Sequence, residues 1–157
     1  MFGKLNSQEI EALLERQVVG RIGCHADNMT YVVPISYAYD GYYVYGHTFE
    51  GMKMNMLRKN PQLCFQVDDT RNLANWRSVI CWGEFEELTI EADRQMALEK
   101  LNGRTLPIIT SQTMHVSPTW PFPSGDSEKV KGIFFRILLR EKTGRFEKSN
   151  DEYFFAT

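Results

Sequence analysis

The stretch from Val18 to Thr48, VVGRIGCHADNMTYVVPISYAYDGYYVYGHT, constrains the fold more than any other part of the chain. It is dense in Val, Ile, Tyr and Thr, residues that suit a half-buried pleated surface. Two turn signals, Asp27-Asn28 and Asp40-Gly41, cut it. Asp-Gly between strand-like runs points to a hairpin, because a type I′ turn needs positive φ at both central positions. Three consecutive antiparallel strands are predicted, at about 18–26, 29–39 and 42–48. Proline lacks the ladder donor and is confined to edges and bulges, so the second strand is expected to break or splay at Pro34.

The flanking segments fill in a mainly β architecture. Asn6 with Glu9 three residues on forms a capping box, Leu5 and Ile10 a hydrophobic staple, and Ile10, Leu13 and Leu14 one apolar helix face. A second helix at about 51–59 is stopped by Asn60-Pro61. QLCFQVDD and RSVICWGEFEEL read as a fourth and a fifth strand, with a bulge or bend expected at Gly83. IEADRQMALEKLN reads as a helix with Met96, Ala97 and Leu101 inward and Gly103 past its end. KVKGIFFRILLREKTGRFE gives the last strand or two. Short strands in succession with a few small helices predict an antiparallel barrel, in one domain over 1–157.

Charge and composition exclude several function classes. A net charge of −2 supplies no basic field for general nucleic-acid or membrane-surface binding. The N-terminus has no signal-peptide core, and no stretch reaches membrane-spanning length. Cys24, Cys64 and Cys81 sit in apolar runs without CxxC spacing, as reduced thiols of a cytoplasmic protein do. The segment at about 103–128 is long for a connection and carries Met114, Trp120 and Phe122. It is too apolar for simple disorder and is expected to order against a partner such as a second subunit.

Candidate chemistry is sparse. His25, His47 and His115 lie far apart without zinc-site spacing, so no metal site is expected. No nucleophile elbow, Walker loop or dinucleotide fingerprint is present. One conflict remains, in YGHTFEGMKMNMLRKNP: Lys53 falls in the first turn of a helix, where the dipole disfavours a cation. A bound anion would resolve it, held by Lys53, the Thr48 hydroxyl and the free amides after Gly51. The alternatives are a lysine extended into solvent or paired with Glu50. VVPIS, broken by its proline, offers backbone groups to a planar ligand. NWRSVICWG places Trp76, Arg77 and Ser78 at a strand entry, although Trp76 and Trp82 also suit core or interface positions.

Taken in order, VGRIGC, YVVPISYAYDGYYVYGHTFEGMKMNMLRKNPQLCFQVDD and NWRSVICWGEFEEL resemble the flavin-binding split-barrel family related to pyridoxamine 5′-phosphate oxidase. The resemblance spans about residues 5–140 and is closest to the branch of nitroimidazole-resistance proteins and their flavin-binding relatives. It implies a six-stranded Greek-key split β-barrel that forms homodimers, with FMN in a groove between subunits. By this resemblance Val33, Pro34, Ile35 and Ser36 run beside the isoalloxazine ring. His47 and Thr48 leave the next strand toward flavin and phosphate, and Lys53 contacts the phosphate. Trp76 and Ser78 close the pocket, and Trp120 reaches over the partner's cofactor.

Two departures matter. Met52 beside Lys53 makes the phosphate segment less basic than the oxidase's, and EKSNDEYFFAT lacks the oxidase's arginine- and histidine-bearing substrate motif. The implied function is therefore an FMN-dependent oxidoreductase acting on a small molecule, nitroimidazole-reductase-like, and not vitamin B6 oxidation. His47 is the candidate acid–base group, with a hydrogen bond to the cofactor as its other role. Rival readings are a haem-binding split barrel with His47 or His115 as axial ligand, and a non-catalytic flavin-binding module.

Overall fold

A computed structural model describes residues 1–104, 119 and 121–149. The expectations for Met114, His115, Trp120 and most of the 103–128 segment lie outside the described residues. In chain order the elements are β1 (Phe2–Lys4), α1 (Ser7–Arg16), β2 (Val19–Ala26), β3 (Met29–Ser36), β4 (Ala38–Tyr39) and β5 (Tyr43–Thr48). Then come α2 (Met52–Lys59), β6 (Gln62–Asn72), β7 (Asn75–Leu88), α3 (Glu91–Asn102), a 3-10 turn (Ser127–Lys129) and β8 (Ile133–Glu147).

Local chemistry explains most of these boundaries. The Asn6 side chain accepts from the Glu9 amide at 2.9 Å and Glu9 returns the favour to the Asn6 amide at 2.7 Å, so α1 begins with a complete capping box. Ile10, Leu13 and Leu14 form its buried face. The positive-φ pair sits at Asp27 (φ 51°) and Asn28 (φ 61°), joining β2 to β3 with Ala26 opposite Met29. At the second turn only Gly41 has positive φ, and the type I′ geometry expected there is absent. Asp40 holds that turn instead, its carboxylate accepting from the Tyr42 and Tyr43 amides and the Tyr45 hydroxyl.

All strand pairs are antiparallel, in the order β3-β2-β6-β7-β8-β5-β4, with β1 added on β8. β3 and β4 stand at opposite ends of this order, yet only Tyr37 separates them in the chain. The sheet must therefore curl almost fully round, leaving a split where the two ends meet. Tyr37 pins the junction: its amide donates to the Val18 carbonyl and its buried hydroxyl to that of Leu14. The architecture is a mainly β split barrel. Eight strands are present among the described residues where the resemblance implied six, and β1 and β4 are only three and two residues long.

Pro34 does not break its strand. It remains in register opposite Arg21, because β3 is an edge strand and the missing donor costs no ladder bond; the break falls at Tyr37. Gly83 does mark a bulge: Trp82 pairs with Glu141 and Gly83 with Leu139, leaving Arg140 as the extra residue. β8 is a single strand of 15 residues that pairs with β7, β5 and β1.

Two apolar clusters result. One fills the barrel, with Leu14, Ile22, Phe65, Val79 and Phe135 among its members. The other lies between β5, β8 and α3, with Tyr45, Leu98, Leu101, Phe122 and Phe134. In α3 the buried positions are Ala97, Leu98 and Leu101, while Met96 is only partly buried. Alternation along β5 serves both clusters, with Val44 and Gly46 facing the barrel and Tyr45 and His47 facing the α3 layer. Among the described residues no helix is long and apolar enough to cross a membrane.

Candidate functional site

The connection from β5 into α2 sets up the conflict seen in the sequence. Gly51 is the N-cap of α2 and offers no side-chain cap. The first-turn amides are therefore left without intrahelical acceptors. Gly51 is exposed, and a Cβ there would meet nothing within 4 Å, so the space beside this N-cap is open.

Lys53 stands at the edge of that space. It is half-buried, with its ammonium 5.9 Å from the centroid of the Phe135 ring. Burial pushes its pKa down, and the Cys24 thiol acts weakly the other way. Both alternatives for this lysine are corrected. Glu50 is held by Arg58 through two contacts of 2.6 and 2.7 Å, and Arg58 also binds Glu87. Lys53 is folded against the barrel rather than extended into solvent, and among the described residues it has no carboxylate partner.

The β3 segment lies one strand away from the Cys24 thiol that senses this lysine. Cys24 pairs with Tyr31, and Ile22 with Val33. Val33 and Ile35 point toward the barrel core, whereas Pro34 and Ser36 point outward and are exposed. Among the described residues β3 is an edge, and alternate backbone donors and acceptors along the split have no strand partner there. Ser36 is engaged from outside. Its hydroxyl accepts from Arg104 at 2.6 Å, and the same nitrogen donates to the Tyr37 carbonyl at 3.0 Å. Arg104 was not among the expected residues, since a basic residue just past a helix end reads as a dipole complement. Its Nε is buried without a hydrogen-bond partner among the described residues.

His47 is used differently from the expectation. Its Nε2–H donates to the Lys131 carbonyl at 2.6 Å, which fixes the tautomer. Phe49, Phe122 and Phe134 surround the ring with centroids at 5.2, 5.3 and 4.8 Å. Burial is the main cause lowering its pKa, with Arg94 adding to it and the Lys131 carbonyl opposing. Burial disfavours the charged form of the ring, which sits in the α3 layer as a clamp on the turn before β8. Thr48 keeps its hydroxyl near the Phe49 carbonyl at 3.3 Å.

Trp76 and Ser78 do not join Lys53 within one chain. The Trp76 indole donates to Glu147 at 3.0 Å, and the Ser78 hydroxyl accepts from Gln66 at 3.1 Å. Ser78 pairs with Asp68, whereas Cys24, beside Lys53, pairs with Leu63. The two groups are thus offset by five residues of β6, roughly 17 Å at about 3.4 Å per residue. They also sit on opposite faces of the sheet. Between them, the outer face carries the row Val32, Gly23, Cys64 and Trp82 across four strands. Val19, Val32, Ile80 and Trp82 are all exposed on that face. Arg21 and Gln66 share that face, in the row that holds Ile80.

Comparison with known proteins places this geometry. The chain is 28% identical to a crystallised FAD-binding protein of Mesorhizobium loti, with a TM-score of 0.70, covering 94% of this chain and 99% of the other. A candidate 5-nitroimidazole antibiotic resistance protein of Bacteroides thetaiotaomicron shares the fold at a TM-score of 0.70 and 18% identity, over 93% of this chain and 87% of its own. An uncharacterised protein of Rhizobium meliloti is 26% identical over 148 residues, which is 90% of this chain and 92% of that one. The sequence pattern of the family described as pyridoxamine 5′-phosphate oxidase matches residues 6–145, and the chain belongs to that family.

Proposed function

We propose that the protein is a homodimeric flavoprotein that binds FMN and acts as an oxidoreductase on a small molecule. The observation that carries this reading is Lys53, a half-buried ammonium without a carboxylate partner, beside an uncapped helix start and the open space before Gly51. A phosphate fits these groups, because charge-assisted hydrogen bonds and the helix dipole act on it together. The unpaired backbone of β3 at Val33–Ser36 suits the polar edge of an isoalloxazine ring, and Arg104 holds that strand end in place through Ser36. When bound, the flavin supplies the electron transfer, and the protein supplies binding and orientation. The FAD-binding relative of Mesorhizobium loti supports a flavin.

A second copy seated on the apolar row of the outer sheet face would bring the partner's Trp76 and the partner's Ser78 to the flavin. That pairing accounts for why these residues lie far from Lys53 within one chain. The three free thiols suit a reducing, cytoplasmic setting. His47, locked on the Lys131 carbonyl, acts in this reading through structure rather than as an acid or base.

The absorption spectrum of the purified protein tests the reading. Flavin bands that bleach under dithionite and return with a nitroaromatic acceptor are the expected result. Bleaching without turnover in the presence of a nicotinamide donor and acceptors would leave a flavin carrier. If FMN neither co-purifies nor binds on titration, the proposal fails.

A further inference from the structure

Arg104 shares two properties with Lys53. It is half-buried, and among the described residues it has no carboxylate partner. Glu15, Asp40 and Glu99 line the cleft of about 580 Å³ beside it, but two of these carboxylates are engaged elsewhere. Asp40 accepts from the Tyr42 and Tyr43 amides and the Tyr45 hydroxyl, and Glu99 from the Gln95 amide at 3.2 Å. Burial alone pushes the Arg104 pKa down. Residues 105–125, which follow it in the chain, contain no Asp or Glu. The two cations stand at two ends of one strand. Lys53 acts on Cys24, which pairs with Tyr31 of β3, while Arg104 Nη1 lies 2.6 Å from the Ser36 hydroxyl. Tyr31 and Ser36 are separated by roughly 17 Å, at about 3.4 Å per residue along β3. The backbone assigned to the isoalloxazine ring, Val33–Ser36, occupies the Arg104 end of this span.

On the flavin reading above, we propose that Arg104 is a positioning residue whose fixed positive charge makes the site hold reduced FMN more tightly than oxidised FMN. Uptake of two electrons and one proton leaves the isoalloxazine with one net negative charge, on its pyrimidine end. Charge placed near that end is one of the means by which a protein tunes a flavin. A guanidinium keeps its proton, so Arg104 supplies a constant field and is not an acid or base. Partial burial limits the screening of that field, and the absence of a paired carboxylate leaves it uncancelled. The same Nη1 that donates to Ser36 also donates to the Tyr37 carbonyl at 3.0 Å, which fixes the charge against the last residues of β3. Lys53 holds the phosphate, which is unchanged by reduction, so the two cations separate affinity from potential.

Potentiometric titration of the FMN-loaded protein with dithionite, beside free FMN at the same pH, tests it. The midpoint potential of the wild type should lie above that of free FMN. Arg104→Gln keeps a donor for Ser36 and removes the charge. It should lower the ratio of reduced to oxidised affinity at least tenfold, a fall of about 30 mV for a two-electron couple. Arg104→Lys keeps the charge and should change the ratio less than threefold. Lys100→Gln, at an exposed cation of the same cleft, should leave the potential where it is. Circular dichroism reports that each variant is folded, and should Arg104→Gln fail to load FMN, the comparison of wild type with free FMN still decides. An unchanged potential in the loaded Arg104→Gln variant, equal falls in the Arg104→Gln and Arg104→Lys variants, or a wild-type potential below that of free FMN would overturn the assignment and leave flavin binding standing. A wild type that takes up no FMN would instead overturn the flavin reading, and this assignment with it.

Discussion

The Lys53 ammonium lies 5.9 Å from the centroid of Phe135, and the Phe135 ring occupies the space that Gly46 leaves on the neighbouring strand, where a Cβ would come within 2.3 Å of it. The glycine therefore admits the ring, and the ring supports the cation from below. An ammonium on an aromatic face gains about 0.5–1 kcal/mol where exposed and more where desolvated. That gain offsets only part of the cost of burial, and the lowered pKa of Lys53 records the remainder.

A stability prediction follows for the flavin-free protein. The folded pKa of Lys53 lies below its ordinary value of 10.5, so the unfolded chain binds more protons in the window between the two. Stability then rises as pH increases through that window, where the burial penalty disappears. Lys53→Met removes the group. The variant should melt at or slightly above the wild type at pH 7, by about 0.5 kcal/mol or roughly 1–2 °C. The alkaline rise relative to the variant should be present only in the wild type, as thermal melts from pH 7 to 10 would record.

His47 gives an opposite-facing test in acid. Its folded pKa is lowered from the ordinary 6.5. Its contribution is complete above 6.5 and is lost as pH falls through the lowered folded value, when the buried ring must charge or the fold must open. His47→Gln should cost about 1 kcal/mol at pH 7 through the hydrogen bond to Lys131. It should also flatten the decline in melting temperature between pH 7 and 5. A variant that keeps the wild-type acid slope would remove His47 from this role.

Two glycines near the site should respond differently. Gly132 has φ 102°, and a Cβ there would lie 2.7 Å from His47 Nε2 and 2.8 Å from the Thr48 carbonyl. Gly132→Ala should destabilise by about 1–3 kcal/mol, read by denaturant unfolding. Gly51 is extended with open space around it. Gly51→Ala should leave stability within about 0.5 kcal/mol while weakening FMN, because the methyl enters the space assigned to the phosphate.

Much of this was legible in the sequence where the signal is local. The Asn6–Glu9 capping box, the stop at Asn60-Pro61 and the bulge at Gly83 all depend on neighbours in the chain or in one hairpin. What was not legible depends on which strand lies beside which. Pro34 reads as a break only until β3 is known to be an edge. The three-residue β1 has no periodicity to detect and exists because β8 is long enough to pair with it. The direction of His47 follows from alternation along β5 between two cores, and the second core was not visible without α3 in place. Arg104 carried no sequence signal beyond its position at a helix end. The separation of Trp76 and Ser78 from Lys53 required the register of β6 against both β2 and β7.

The subunit arrangement can be tested by complementation. Lys53→Ala and Ser78→Arg should each lower flavin occupancy as homodimers. In a symmetric dimer with composite sites, a mixed dimer carries one doubly altered site and one intact site. Unfolding and refolding the two variants together should restore roughly a quarter of all sites if chains pair at random. No recovery, with mixed dimers shown to be present by mass, would place all flavin contacts in one chain.

The most direct measurement is the titration of wild type and Lys53→Ala with FMN and with riboflavin, which lacks the phosphate. A charged hydrogen bond contributes about 1.5–3 kcal/mol, so the FMN dissociation constant should rise by roughly one to two powers of ten. Riboflavin affinity should change by less than about threefold, because the proposed role of Lys53 is toward the phosphate alone. Equal losses for the two ligands, or no loss for either, would contradict the assignment of Lys53 as the phosphate-binding cation.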